Sequence, residues 1–382
     1  MLPLVALFAV AGFHQQFNSA GFKATVQRYA ETKSLDDLAE AIRKDNKLPG
    51  LCIAYQKGSD KTESAVVGLR NMQNTSSPIE DDDRLPIGAI GKSMTAMLIA
   101  HLVETQKLSW KTTLSQAMPD IALNDAYKNV TISDLMHHKA KLPRIDVIAP
   151  ARLDKILAKP EKPTDIRKAF LTELLSLEPE AVQSPSTDTD FVVAGYVAER
   201  VIRQSYEWLM QRYVFNPLRM SSAMIEPIGT ADQVGSANAV VPHIRGDFGF
   251  APYLMPPSKL DYVKAPAGAG ISCTISDLVK YATYHLKGIR GEATGLTAES
   301  YKLLHTPEEG DKNAVGWIVD SAFAGEACHY FTGTDGSFWA DMTIWPKSGL
   351  VIVAVTNAGI TRQPSPTMIG IMAVKAKLEQ KD

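Results

Sequence analysis

The stretch "LPIGAIGKSMTAML", Leu85 to Leu98, decides how this chain is read. Two patterns overlap in it. "GKS" at Gly91, Lys92 and Ser93 has the look of the end of a phosphate-binding loop. The apolar run that follows has the look of a buried helix. A phosphate loop needs Gly, four residues, then Gly-Lys-Ser/Thr. Counting back from Gly91 puts Pro86 where the first glycine belongs, and Gly88 is too close. A buried strand must also precede the loop, whereas "EDDDRLP" is polar and breaks at Pro86. Nucleotide binding through "GKS" is therefore set aside, and the helix remains.

Around that helix the chain has an ordinary globular balance. Of 382 residues, 45% are hydrophobic and 21% charged, enough apolar material for a large core. The net charge of −2 supplies no basic field for nucleic acid or acidic membranes. Cys52, Cys273 and Cys328 are too few and too scattered for a disulfide framework, and their apolar neighbours predict small buried hydrophobes. Eight histidines are scattered, and no His or Cys cluster has metal-ligand spacing. "DDD" at Asp81 to Asp83 predicts a solvated turn rather than a metal site. No metal and no cofactor is expected. The apolar start "MLPLVALFAVAGF" is shorter than the roughly 20 residues of a membrane span. Residues 1–22 are either a signal peptide without a basic n-region or a docked apolar terminus. No other segment has transmembrane character.

Ser34, with Asp37 three residues on, opens a helix whose Leu35, Leu38, Ala39 and Ile42 share a face. "LPGLCIAYQKG" and "ESAVVGLRN" read as two strands joined by a polar turn. A helix follows over about 89–104. The middle, to about Leu286, is mainly helical, with "TISDLMHH", "DIRKAFLTELLSL", "DFVVAGYVAERVI" and "ISDLVKYATYHL". After Asn313 strands return as "VGWIVDSA", "ACHYFTG", "SFWADMTIWP" and "GLVIVAVTN", and a helix over 367–380 closes the chain. Neighbouring strands this close in sequence pair antiparallel. The expected architecture is α+β. An antiparallel sheet flanked by helices comes from 23–88 and 287–382, and a mainly helical subdomain from 89–286.

Seven segments in order carry a resemblance: "LPGLCIAY", "RLPIGAIGKSMTAMLIAHLVETQKLSW", "TISDLMHHKAKLP", "VFNPLRM", "PAGAGISCTISDLVKYATYHL", "VGWIV" and "VIVAVTNAG". Together they resemble the serine β-lactamases of class C and the related penicillin-binding-protein-like carboxypeptidases and esterases. The resemblance implies a β-lactamase/transpeptidase-like fold. It also implies a serine nucleophile three residues before a lysine at a helix start, so that both side chains share one helix face.

Against that expectation the motifs are depleted. Lys92 holds the lysine position, but Ala89 stands where the nucleophile belongs. The Tyr-x-Asn motif, counted back nine residues from Gly195, falls on Ser186, Thr187 and Asp188. The third motif keeps Thr332 and Gly333, but Phe331 replaces its cation. His138 matches the family's histidine, while Lys139, Ala140 and Lys141 replace Thr, Ser and Gly. Loss of the hydroxyl, phenol and cation together marks natural degeneration rather than a single trapping substitution. Losing a nucleophile alone costs on the order of 10⁶ in kcat in a well-studied serine protease.

What the resemblance leaves intact is an oxyanion hole of backbone N–H groups, carried over to the amides of Ala89 and Thr334. With Lys92 and Ser337 they form the expected ligand-binding set, suited to a peptide-like or acyl small molecule. Alternatively, Lys92 simply pairs with Asp188 in a vestigial cleft. The favoured expectation is a catalytically inactive or impaired serine-hydrolase homologue. The alternative is a divergent hydrolase of the β-lactamase, D-amino-acid carboxypeptidase or esterase type, using a relocated nucleophile such as Ser186. Ser93, next to Lys92, points about 100° around the helix from that face. The family resemblance favours a periplasmic or secreted setting, and the poor signal peptide a cytoplasmic one. The sequence names no protein partner.

Overall fold

A computed structural model describes residues 19–179, 188–226, 239–254, 258–292, 295–321 and 325–380. The chain enters through α1 (Ala20–Ala30) and α2 (Leu35–Asp45), each capped by a serine, Ser19 and Ser34. The Ser34 hydroxyl accepts from the Asp37 amide, as the sequence predicts. The strands β1 (Gly50–Lys57) and β2 (Glu63–Gly68) follow. A two-residue strand β3 (Leu85–Pro86), a 3₁₀ turn Gly88–Ile90 and α3 (Gly91–Glu104) lead into the helical middle. There the helices Ile132–Met136, Pro150–Leu157 and Pro163–Leu174 precede α4 (Asp188–Ile202). The middle also holds short strands: β4 (Met224–Ile225), the hairpin β5 (His243–Gly246) and β6 (Gly249–Pro252), and β7 (Ile271–Cys273). Then come α5 (Ile275–Ile289) and α6 (Ala298–His305). Next are β8 (Asn313–Ala314), β9 (Trp317–Asp320), β10 (Cys328–Thr334), β11 (Trp339–Trp345) and β12 (Leu350–Thr356). Finally α7 (Pro366–Glu379) closes the chain.

The main sheet has the order β2-β1-β12-β11-β10-β9-β8, antiparallel throughout. Its two ends of sequence meet at β1 and β12, in register Leu51↔Thr356 to Lys57↔Leu350. Both faces are buried, so alternate residues serve different cores. Leu51, Ile53, Leu350 and Ile352 pack with α1, α2 and α7, whereas Cys52, Ala54, Val351 and Val353 face the helical side. That explains the unbroken apolar run of β12, which an amphipathic strand would not show.

Two of the expected boundaries fall inside helices, and one expected turn needs correction. The boundary after residue 22 cuts α1, which starts at Ala20, buries Phe22 and packs on α7; residues 1–18 lie outside the described residues. The boundary at 286/287 cuts α5, which lies on the sheet against β1 and β12. Only part of "DDD" is a solvated turn. Asp83 is buried because Nε of the buried Arg70 donates to both its oxygens, at 2.9 and 2.8 Å. All three cysteines are free and buried. Among the described residues no helix is long and apolar enough to cross a membrane.

Candidate active site

Ala89 sits at a backbone junction. β3 is pinned to β7 (Leu85↔Cys273), and the Ile87 amide donates to Ile271 O at 3.1 Å. The chain then turns through Gly88, whose φ of +53° favours glycine. β10 comes directly against this turn. A Cβ on Gly88 would lie 2.5 Å from Thr334 N, and one on Gly333 would lie 1.9 Å from Ile87 O. Neither distance accommodates a carbon. The glycines therefore let the segments bearing the Ala89 and Thr334 amides touch. Gly88 and Ile90 are buried while Ala89 is half-buried, so its methyl meets the surface where a nucleophile would stand.

One turn on, Lys92 is buried, with Nζ 2.8 Å from Asp188 Oδ1 and 5.8 Å from the Phe191 ring centre. Asp188 is the first residue of α4, where the helix dipole favours a negative side chain. Burial works to raise its carboxyl. The Lys92 ammonium, aided by Lys264 and His138, outweighs this and holds it below the usual carboxylate range. Two residues along α4, Asp190 accepts from His138 Nδ1 at 2.8 Å, and the His138 ring leans on Phe191 at 5.5 Å. α4 thus holds both Lys92 and His138, the two residues that match the family pattern.

The third-motif residues divide by strand alternation. Phe331 and Gly333 face the helical side, where Phe331 packs against the core. Thr332 faces the other side and donates to Asp341 Oδ1 at 2.6 Å. Asp341 also accepts from Trp339 Nε1 (3.0 Å), Ser365 Oγ (2.8 Å) and Thr367 Oγ1 (2.5 Å). Burial raises its carboxyl against these donors. The Thr332 hydroxyl is thereby part of a latch joining β10, β11 and α7. Thr334 contributes backbone, its hydroxyl donating to Phe338 O at 2.6 Å.

Ser337 departs from expectation. It is buried in the β10–β11 turn and donates to Asp335 Oδ1 at 2.8 Å, so its hydroxyl proton is committed to the turn. Ser186, with Thr187, lies outside the described residues. Ser93 is fully buried, donating to Ile90 O (2.7 Å) and accepting from Tyr281 Oη (2.9 Å), which leaves "GKS" no hydroxyl to offer a phosphate or metal.

Two features escaped sequence reasoning. Asp341 was legible only as a lone acid inside the apolar strand "SFWADMTIWP". Three histidines thought scattered, His285, His305 and His329, form one buried hydrogen-bonded chain. Among the described residues no cluster of three or more His, Cys, Asp or Glu has the geometry to hold a metal.

The geometry invites comparison. The family model described as Beta-lactamase matches residues 35–374. Penicillin-binding protein 4 of Amycolatopsis lactamdurans is 24% identical over 336 residues, 84% of each chain. Unguisins hydrolase ungD' of Aspergillus campestris is 23% identical over 360 residues, 90% of this chain and 65% of that protein. Among solved structures, the octameric penicillin-binding protein homologue from Pyrococcus abyssi superposes with a TM-score of 0.69 at 20% identity, over 90% of this chain and 77% of that one. The D-amino acid amidase from Ochrobactrum anthropi SV3 gives 0.69 at 15%, over 95% and 99%. With the family model spanning both the sheet and the helical middle, and the fold shared with these structures, the chain belongs to the β-lactamase family.

Proposed function

We propose that this chain is a β-lactamase-related protein without ordinary serine-hydrolase activity, whose inherited cleft binds a peptide-like or acyl small molecule. The observation that carries this is the methyl group of Ala89 at the head of α3, one turn from a lysine already held by Asp188 at 2.8 Å. An attacking oxygen and a free base are both needed in register for acyl transfer, and position 89 supplies no oxygen. The backbone is a different matter. Replacing a serine side chain removes no amide, and the Ala89 and Thr334 segments remain in contact, so a carbonyl or carboxylate oxygen still meets donors. In support of this ligand class, the Ochrobactrum amidase structures, which share the fold, are complexes with L-phenylalanine amide and L-phenylalanine.

The test is intact-mass spectrometry after exposure to a fluorophosphonate and to a labelled penicillin, beside calorimetry with amino-acid amides and short peptides. The expected result is saturable binding without a covalent adduct. A stable adduct on any serine, Ser186 included, would overturn the proposal in favour of a divergent hydrolase.

A further inference from the structure

Phe331 and Gly333 share one face of β10. A Cβ on Gly333 would lie 2.9 Å from both the Ala89 and the Ile90 amide nitrogens, so this face looks onto the head of α3. The next close approach comes from Gly316, just before β9: a Cβ there would lie 2.9 Å from Ser93 Cα and 3.3 Å from Lys92 O. β9 and β10 are neighbours, so Phe331 is held between two contacts with the segment 87–93. It packs on the core yet stays half-buried, as does Ala89, and a phenyl and a methyl therefore reach the surface at the cleft.

The charges nearby are balanced or negative. Lys92 is buried against Asp188, whose side chain is 50% exposed, so the carboxylate of that pair meets solvent and the ammonium does not. Lys264, which also acts on Asp188, is shared with Asp146 and Asp261. His138 is held by Asp190, and Lys139 by Glu308. Asp335, next to Thr334, adds an exposed acid. A neutral carbonyl oxygen can take the Ala89 and Thr334 amides while its apolar chain covers the phenyl ring. A carboxylate would shed water beside that ring and the Asp188 anion, and each nearby cation already answers an acid.

We propose that the cleft takes a neutral ester or amide with an apolar acyl chain and discriminates against carboxylates, with Phe331 setting the preference; this rests on the binding reading above. The experiment is calorimetry of the full chain with hexanamide and with hexanoate at equal ionic strength and about pH 7.5. Phe331→Lys, Phe331→Leu and Asp188→Asn are measured alongside. The expected result is saturable binding of hexanamide, about tenfold or more tighter than hexanoate. Phe331→Lys should narrow that ratio about tenfold or reverse it, and Phe331→Leu, which stays apolar, should keep the wild-type order. Asp188→Asn, which releases Lys92, should strengthen hexanoate and leave hexanamide unchanged. Binding of amino-acid amides or peptides without a preference for hexanamide over hexanoate would overturn this inference alone, as would a ratio that neither Phe331→Lys nor Asp188→Asn alters. No binding of any of these compounds would overturn the binding reading and this inference with it. Circular dichroism of each variant separates lost binding from lost fold.

Discussion

Acidification should unfold this protein through its buried histidine chain. His285 Nδ1 lies 2.8 Å from His305 Nε2, and His305 Nδ1 lies 3.2 Å from His329 Nδ1. The rings sit among Tyr281, Tyr301 and Trp317, between 0% and 8% exposed. Only one polarity suits a neutral chain. If His285 donates to His305 and His305 to His329, the buried His285 Nε2 is a bare acceptor; the reverse would bury an N–H there without a partner. Burial lowers His285 to about 3 and His329 to about 4, and carries His305 well below the usual range; nearby imidazoles reinforce the effect at His285 and His305. Between those values and the ordinary 6.5 the unfolded chain binds more protons than the folded one, so stability falls as pH falls. At about pH 5 each of His285 and His329 costs RT ln(1 + 10^1.5), roughly 2 kcal/mol, or about 4 kcal/mol together. Urea unfolding at about pH 7.5 and pH 5 measures this. His329→Gln removes one titrating ring, and its loss between the two pH values should be smaller than the wild type's by about 2 kcal/mol. Other acid-sensitive groups are common to both chains and cancel. Parallel losses in the two proteins would refute the reasoning.

Three further outcomes are expected. Ala89→Ser should acquire a fluorophosphonate adduct at residue 89 while hydrolysing esters slowly, because Lys92 stays bound to Asp188; a folded variant that resists labelling would mean the turn does not present that side chain. Asp188→Asn should lower stability by about 1–2 kcal/mol in chemical denaturation, less than a fully buried pair because Asp188 is half exposed, and unchanged stability would dismiss the ion pair. Gly333→Ala should cost about 2 kcal/mol or more and abolish cleft binding, since its methyl would overlap the Ile87 carbonyl; a variant with unaltered Tm would contradict the close approach.

Much of the cleft was legible by counting. Lys92 is three residues from Ala89, and Asp188 falls at the end of the second motif, so their pairing could be anticipated from register with the family. The strands of the main sheet were legible from turn residues and apolar runs, because those signals are local. Thr332 and Ser337 were not. Which face of β10 a residue takes, and whether a turn consumes its hydroxyl, depend on Asp341 and Asp335, and no spacing rule links these to a site.

Chemistry at a single position needs no coordinates: alanine at 89 has no oxygen, phenylalanine at 331 has no charge, and both facts stand in the chain itself. Proximity does need them. His285, His305 and His329 come from two helices and a strand. What joins them is the packing of those helices on the sheet, where burial and side-chain contact act between residues whose separation along the chain carries no period to read.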